Sequence, residues 1–197
     1  MRELSLHILD IAENSITAAA DCIQILVNEA RSGNLLTIVI EDNGRGMPAA
    51  KIENPADPFI TTRTTRRVGL GLSLLEAAAR RCDGKLEIDS EAGRGTRVVA
   101  TFGYNHIDRA PLGDMASTIT TLIMGNPRID FVYTHIIDTN DFILDTRELR
   151  AGPADDTFAD PVLIHHLSQS IRKSLNQLAL GDGKSEGMEE NHGKNDD

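Results

Sequence analysis

Residues 8–16 read "ILDIAENSI", and three polar side chains, Asp10, Glu13 and Asn14, interrupt an otherwise apolar run of Ile8, Leu9, Ile11 and Ile16. Asp10 and Asn14 are four apart, so on a helix they stack on one face, and His7 joins that face by the i, i+3, i+7 rule. Capping explains one such residue, but not a carboxylate and a carboxamide together in mid-helix. A second polar group lies at "DNGRGM", where Asp42 ends an apolar stretch and precedes Asn-Gly, the chemistry of a turn start. Gly44 and Gly46 allow a tight turn there. Further on, "TTRTTRR" gathers Arg63, Arg66 and Arg67. Guanidinium groups suit phosphate oxygens, and the plainer alternative is a solvated run on a surface loop.

The elements that must position these groups are readable from periodicity. Residues 3–19 form a helix without Gly or Pro. "CIQILVNEA" alternates as a strand with Ile23, Ile25 and Val27 on one face, and "LLTIVIED" returns after the turn "RSGN". From Ala49 to Val68 the chain reads as a long loop. A helix follows through "LSLLEAAARRC", closed by Gly84, and "KLEIDSE" and "TRVVATFGY" make a second hairpin about "AGRG". After Tyr104 a second unit is expected. It comprises a helix in "APLGDMASTITTLIMG" with Pro111 near its start, two strands about "DTND", and a last helix opened by Asp160-Pro161. Ile164, Leu167, Ile171, Leu175 and Leu178 give that helix an apolar stripe, which packs on the first unit, forms a homodimer or receives a partner. The polar tail 181–197 has no apolar pattern and is expected to be disordered.

Bulk properties narrow the classes. The 197 residues suffice for one domain and an appendage, and 40% are apolar, with aromatics only 4%, so the core is aliphatic. A formal charge of −10 argues against general affinity for nucleic acid or anionic membrane. Cys22 and Cys82 read as reduced core residues of a cytosolic protein. The start "MRELSLHILD" resembles neither a signal peptide nor an anchor, so a soluble, cytoplasmic protein is expected.

Four stretches come in fixed order: "DIAENS", "DNGRGM", "VGLGLS" and "AGRGT". Together they resemble the N, G1, G2 and G3 boxes of the GHKL ATP-binding superfamily, which includes sensor histidine kinase catalytic domains, anti-sigma serine kinases, type II topoisomerases, mismatch-repair ATPases and heat-shock ATPase chaperones. "DPFITTR" is most similar to the sensor kinase version. The resemblance covers roughly residues 1–103. It implies an α+β fold, a two-layer α/β sandwich of the Bergerat type. Residues 104–180 would add an appended helix–hairpin–helix unit of unknown role, and 181–197 a disordered acidic tail.

The resemblance also assigns roles. Asn14 would hold Mg²⁺ through a neutral oxygen, suited to a hard cation that also binds phosphate. Asp42 would accept a hydrogen bond from the adenine amino group, with Thr96 supporting it; the plain reading of Thr96 is a strand threonine. Gly44, Gly46 and Met47 belong to the base-side loop. Thr62 and Arg63 belong to a lid over the phosphates. Gly69, Leu70, Gly71 and Leu72 open a helix whose free N–H groups favour a triphosphate. Asp10 stands where several branches carry an acidic general base, there Glu and here the shorter Asp, so it is either a slower base or an orienting group.

Two departures qualify the match. The asparagine helix begins almost at Met1, with no recognisable phosphoacceptor domain before it, and Thr17 occupies a position that is often Lys. A self-contained sensor kinase is therefore not expected. His7 and His135 read as structural. His165 and His166, adjacent on a helix, make a poor metal pair. The expected function is an ATP–Mg²⁺-binding, histidine kinase-like protein that passes the γ-phosphoryl of ATP to a partner protein in signalling. The alternative is an ATP-hydrolysing or ATP-sensing conformational switch that regulates a partner without phosphorylating it.

Overall fold

The computed structural model describes residues 3–47, 70–150, 158 and 160–181. The expected loop 49–68, with Thr62, Arg63, Arg66 and Arg67, lies outside them, as do Gly69 and nearly all of the tail. Helix α1 (Leu4–Thr17) buries Leu4, Ile8 and Ile11 as a helical stripe. Strands β1 (Cys22–Ala30) and β2 (Leu35–Asp42) form the expected antiparallel hairpin. After the glycine-rich segment come α2 (Leu70–Arg80) and the hairpin of β3 (Leu86–Glu91) and β4 (Gly95–Gly103). The chain ends α2 with Asp83 at φ 56° and the Gly84 N–H donating to Ala79 O at 2.9 Å. A Cβ on Gly84 would collide with Thr101 O of β4, so the closing glycine is also a packing requirement.

The second half departs from expectation in its placement and in where its first helix starts. Its elements form: α3 (Met115–Gly125), β5 (Asp130–Ile137), β6 (Asn140–Asp145), a short α4 (Thr146–Leu149) and α5 (Pro161–Leu180). They do not build a body apart. β5 lies parallel to β1 from Cys22↔Asp130 to Glu29↔Ile137, so all strands join one sheet in the order β3-β4-β2-β1-β5-β6. A parallel neighbour needs a long crossover, and the segment through α3 supplies it. Its backbone ties down the start of α1, where Leu4 N–H donates to Pro111 O at 3.0 Å and Ser5 N–H to Leu112 O at 2.8 Å. Pro111 therefore precedes the helix rather than opening it. Asp114 caps α3 by accepting from the Ser117 N–H at 2.9 Å.

One face of the sheet carries the helices, and the core lies between them. Ile23, Ile25 and Val27 of β1 face it with Leu36, Ile38 and Ile40 of β2, Phe102 of β4, and Phe131 and Tyr133 of β5. The apolar stripe of α5 packs on α3 and β6, burying Ile164, Ile171 and Leu178 and half-burying Leu167 and Leu175. The elements it packs on belong to the second half itself, not to residues 1–103. Among the described residues no helix is long and apolar enough to cross a membrane.

Candidate functional site

The strand ends bring the polar residues together. The register places Ser90, Thr96, Asp42 and Ile23 in one row across β3, β4, β2 and β1. Helix α1 lies over the core face of this row, because its apolar stripe of Leu4, Ile8 and Ile11 must be covered. Asp42 is buried, with 8% of its surface exposed. A buried carboxylate must be satisfied, and two donors reach it. The Gly44 N–H donates to Oδ1 at 2.9 Å, and the Ser15 hydroxyl donates to Oδ2 at 2.6 Å. The hydroxyl bonded to Asp42 is that of Ser15, and Thr96, to which the resemblance gives a supporting role, stands directly opposite Asp42 on β4.

Thr96 belongs to a neighbouring network. Ser90 Oγ accepts from the Met47 N–H at 2.9 Å, donates to Gly95 O at 2.9 Å and lies 2.9 Å from Thr96 Oγ1. A hydroxyl has one proton. With Ser90's proton on Gly95 O, Thr96 is the donor in the third contact, and its own oxygen keeps its acceptor capacity. Neither Ser15 nor Ser90 was singled out from the sequence. The available signal for Ser15 was its place in the buried helical stripe, seven residues after Ile8 and four after Ile11.

The glycines of the first loop are fixed by sterics. A Cβ on Gly44 would sit 2.8 Å from Ala18 O, beyond the end of α1. Gly46 has φ +62°, and a Cβ there would run into Glu91 O at the end of β3. Arg45 between them donates its N–H to Ala18 O at 2.9 Å and accepts from the Gly93 N–H at 2.8 Å. The loop is thus held between the end of α1 and the β3–β4 turn, with Met47 anchored on Ser90.

On α1, Asp10 is half-buried and Asn14 exposed. Gly71, in the first turn of α2, passes close above them. A Cβ built on it would lie 3.5 Å from Asp10 Cβ and 3.8 Å from Asn14 Nδ2. The start of α2, where backbone N–H groups lack helical acceptors, therefore stands over the polar face of α1. Leu72 packs against the core beside it. His7 is buried at 4% exposure, and burial pushes its pKa below the usual imidazole value against the pull of Asp10, so the ring is neutral at pH 7. That agrees with the structural reading of this residue.

Among the described residues no group of three or more His, Cys, Asp or Glu side chains could hold a metal ion. Asn14 alone is a neutral oxygen donor, so its chemistry suits a cation that takes most of its ligands from water and phosphate. A polar depression of about 610 Å³ between Asn140, Phe142 and Gln177 lies at the other end of the strands from Asp42 and contains none of these groups. His165 and His166 are both exposed on α5, far from the site in sequence, with His165 paired to Gln169 at 2.8 Å.

Comparison with known proteins gives this constellation a context. Sporulation kinase C of Bacillus subtilis is 32% identical over 88 residues, which is 45% of this chain and 20% of that protein. The sensor protein kinase FleS of Pseudomonas aeruginosa is 37% identical over 105 residues, 53% of this chain and 25% of its own length. The chain thus corresponds to a quarter or less of these relatives. Among solved structures, the N-terminal domain of a DNA repair protein superposes with a TM-score of 0.55 at 17% identity, covering 79% of this chain and 55% of that one, which speaks to fold alone. Residues 2–106 match the histidine kinase-, DNA gyrase B-, and HSP90-like ATPase family, as the ordered glycine boxes and the two-layer fold imply, and the chain belongs to that family.

Proposed function

We propose that this chain binds Mg²⁺–ATP between α1, the start of α2 and the loop after β2, and transfers the γ-phosphoryl group to a side chain of a partner protein in signalling. The observation that carries this reading is the placing of Asn14 and Asp10 beneath Gly71, with the buried carboxylate of Asp42 at the neighbouring strand end. Membership of an ATPase family supports ATP as the ligand, and the sensor kinases among the relatives support phosphotransfer. In this reading Asp42 accepts from the adenine amino group and the α2 N-terminus receives the phosphates. The side-chain oxygen of Asn14 would hold the Mg²⁺, which would supply neutralisation of phosphate charge, as in phosphoryl transfer generally. Thr62 and Arg63, with Arg66 and Arg67, which lie outside the described residues, are the side chains this reading assigns to the phosphates. Asp10 accepts a proton from the attacking group or orients it. The reaction is expected in the cytoplasm.

A second reading has its own support. An acidic residue four positions before the asparagine suits activation of water, so an ATP-hydrolysing switch that changes what a partner binds is the alternative. The test follows γ-labelled ATP with the purified protein and its Asp10→Asn variant, alone and with cell lysate. Label on a protein, reduced in the variant, supports the kinase. Free phosphate without labelled protein supports the switch. No turnover and no bound ATP would overturn both.

A further inference from the structure

We infer that Ser15 positions Asp42 for the 6-amino group of adenine and thereby contributes to nucleobase selection. This rests on the ATP reading above and adds a residue to it. Ser15 interrupts the stripe of Leu4, Ile8 and Ile11 and is 3% exposed. A hydroxyl in such a place must find an acceptor. Its contact to Ile11 O, 3.4 Å, is long, whereas the bond to Asp42 Oδ2 is 2.6 Å. It is a charge-assisted bond, the shorter and stronger kind.

The geometry at Asp42 gives this bond a consequence. Oδ1 is held by the Gly44 N–H and Oδ2 by Ser15, so each carboxylate oxygen has one fixed donor and keeps a second acceptor direction. The terminal torsion of an aspartate is otherwise broad. Gly44 alone would leave the second oxygen without a fixed direction. With Ser15 in place, the carboxylate presents a set acceptor to an amino donor and repels the carbonyl of a 6-oxo purine. The same bond ties α1, which carries Asn14, to the strand end that carries Asp42. The base-reading and phosphate-facing groups therefore share one rigid connection. Ser15 would not touch the nucleotide; it acts through Asp42.

The test titrates ATP and purine riboside 5′-triphosphate, which lacks only the 6-amino group, into wild type and Ser15→Ala. Wild type is expected to prefer ATP by about tenfold, the effect of one hydrogen bond to a charged group. Ser15→Ala is expected to lower that preference to about threefold or less while binding of the amino-free analogue stays within about twofold. The preference is a ratio measured within one protein, so a partly unfolded sample does not disturb it. A Ser15→Ala variant with the wild-type preference, both affinities falling together, would overturn the inference and leave Ser15 a packing residue. Equal binding of both nucleotides by wild type would overturn the placing of adenine at Asp42. Binding of neither by wild type would overturn the ATP reading itself.

Discussion

Gly46 and Gly93 offer a paired perturbation that separates backbone conformation from contact. Both have positive φ, +62° and +83°, and they stand in facing turns linked by the bond from the Gly93 N–H to Arg45 O. Alanine at either position incurs the left-handed penalty of about 1 kcal/mol. At Gly93 the effect ends there, because a Cβ meets nothing within 4 Å. At Gly46 the Cβ would strike Glu91 O and lie 2.8 Å from Glu91 C and 2.9 Å from Gly95 O. These are backbone atoms of a hairpin and cannot rotate aside, so the loop must move and the Met47–Ser90 bond must stretch. Overpacking of this kind adds about 1–3 kcal/mol. Gly46→Ala should therefore lose about 2–4 kcal/mol in urea unfolding at unchanged m-value, against about 1 kcal/mol for Gly93→Ala. Displacement of the base-side loop should also weaken ATP binding by about tenfold or more in Gly46→Ala only. Equal losses in the two variants would refute the contact argument, and unaltered ATP affinity in Gly46→Ala would refute the role given to the loop.

Three further outcomes are expected. His7 has its pKa lowered from 6.5 by burial, so the unfolded chain binds the proton more readily and stability falls as pH drops below about 6.5; the urea midpoint should show this slope, and His7→Phe should flatten it. Burial would raise Glu29, but hydrogen bonds from His135 and Tyr104 outweigh it and hold its carboxyl below the usual range. Its contribution is thus present above about pH 4.5 and lost as pH falls through the native value, and Glu29→Gln should destabilise by about 2 kcal/mol at neutral pH with a smaller difference in acid. Ile171 is 1% exposed between α5 and its neighbours, so Ile171→Ala should remove about 3 kcal/mol from a single unfolding transition; a loss below about 1 kcal/mol would mean that α5 does not share the common core.

The period-2 runs and their turns made the three antiparallel hairpins legible, and the helical stripe made α1 legible, because each is a local pattern. The parallel pairing of β1 with β5 was not, since it joins residues about a hundred apart and no turn signals it. β5 carries Phe131, Tyr133, His135 and Ile137 on one face, an alternation equally consistent with a separate hairpin. Asp42 could be singled out as the residue before Asn-Gly. Its hydrogen-bond partner could not, because a helix serine reaches it across 27 positions. His135 was read as structural, and its bonds to Glu29 Oε1 at 2.8 Å and Tyr133 Oη at 2.7 Å agree. No local pattern marks Glu29 as the partner of His135, since that bond exists only once β5 lies beside β1.

The measurement closest to the central claim is calorimetric titration of ATP into wild type and Asn14→Ala, with Mg²⁺ and with a chelator. If Asn14 holds the metal against the phosphates, wild type binds ATP more tightly with Mg²⁺. Asn14→Ala then binds weakly and alike in both conditions, while its unfolding midpoint stays near that of wild type. Undiminished, Mg²⁺-dependent ATP binding by Asn14→Ala would contradict the assignment of this helix as the floor of the nucleotide site.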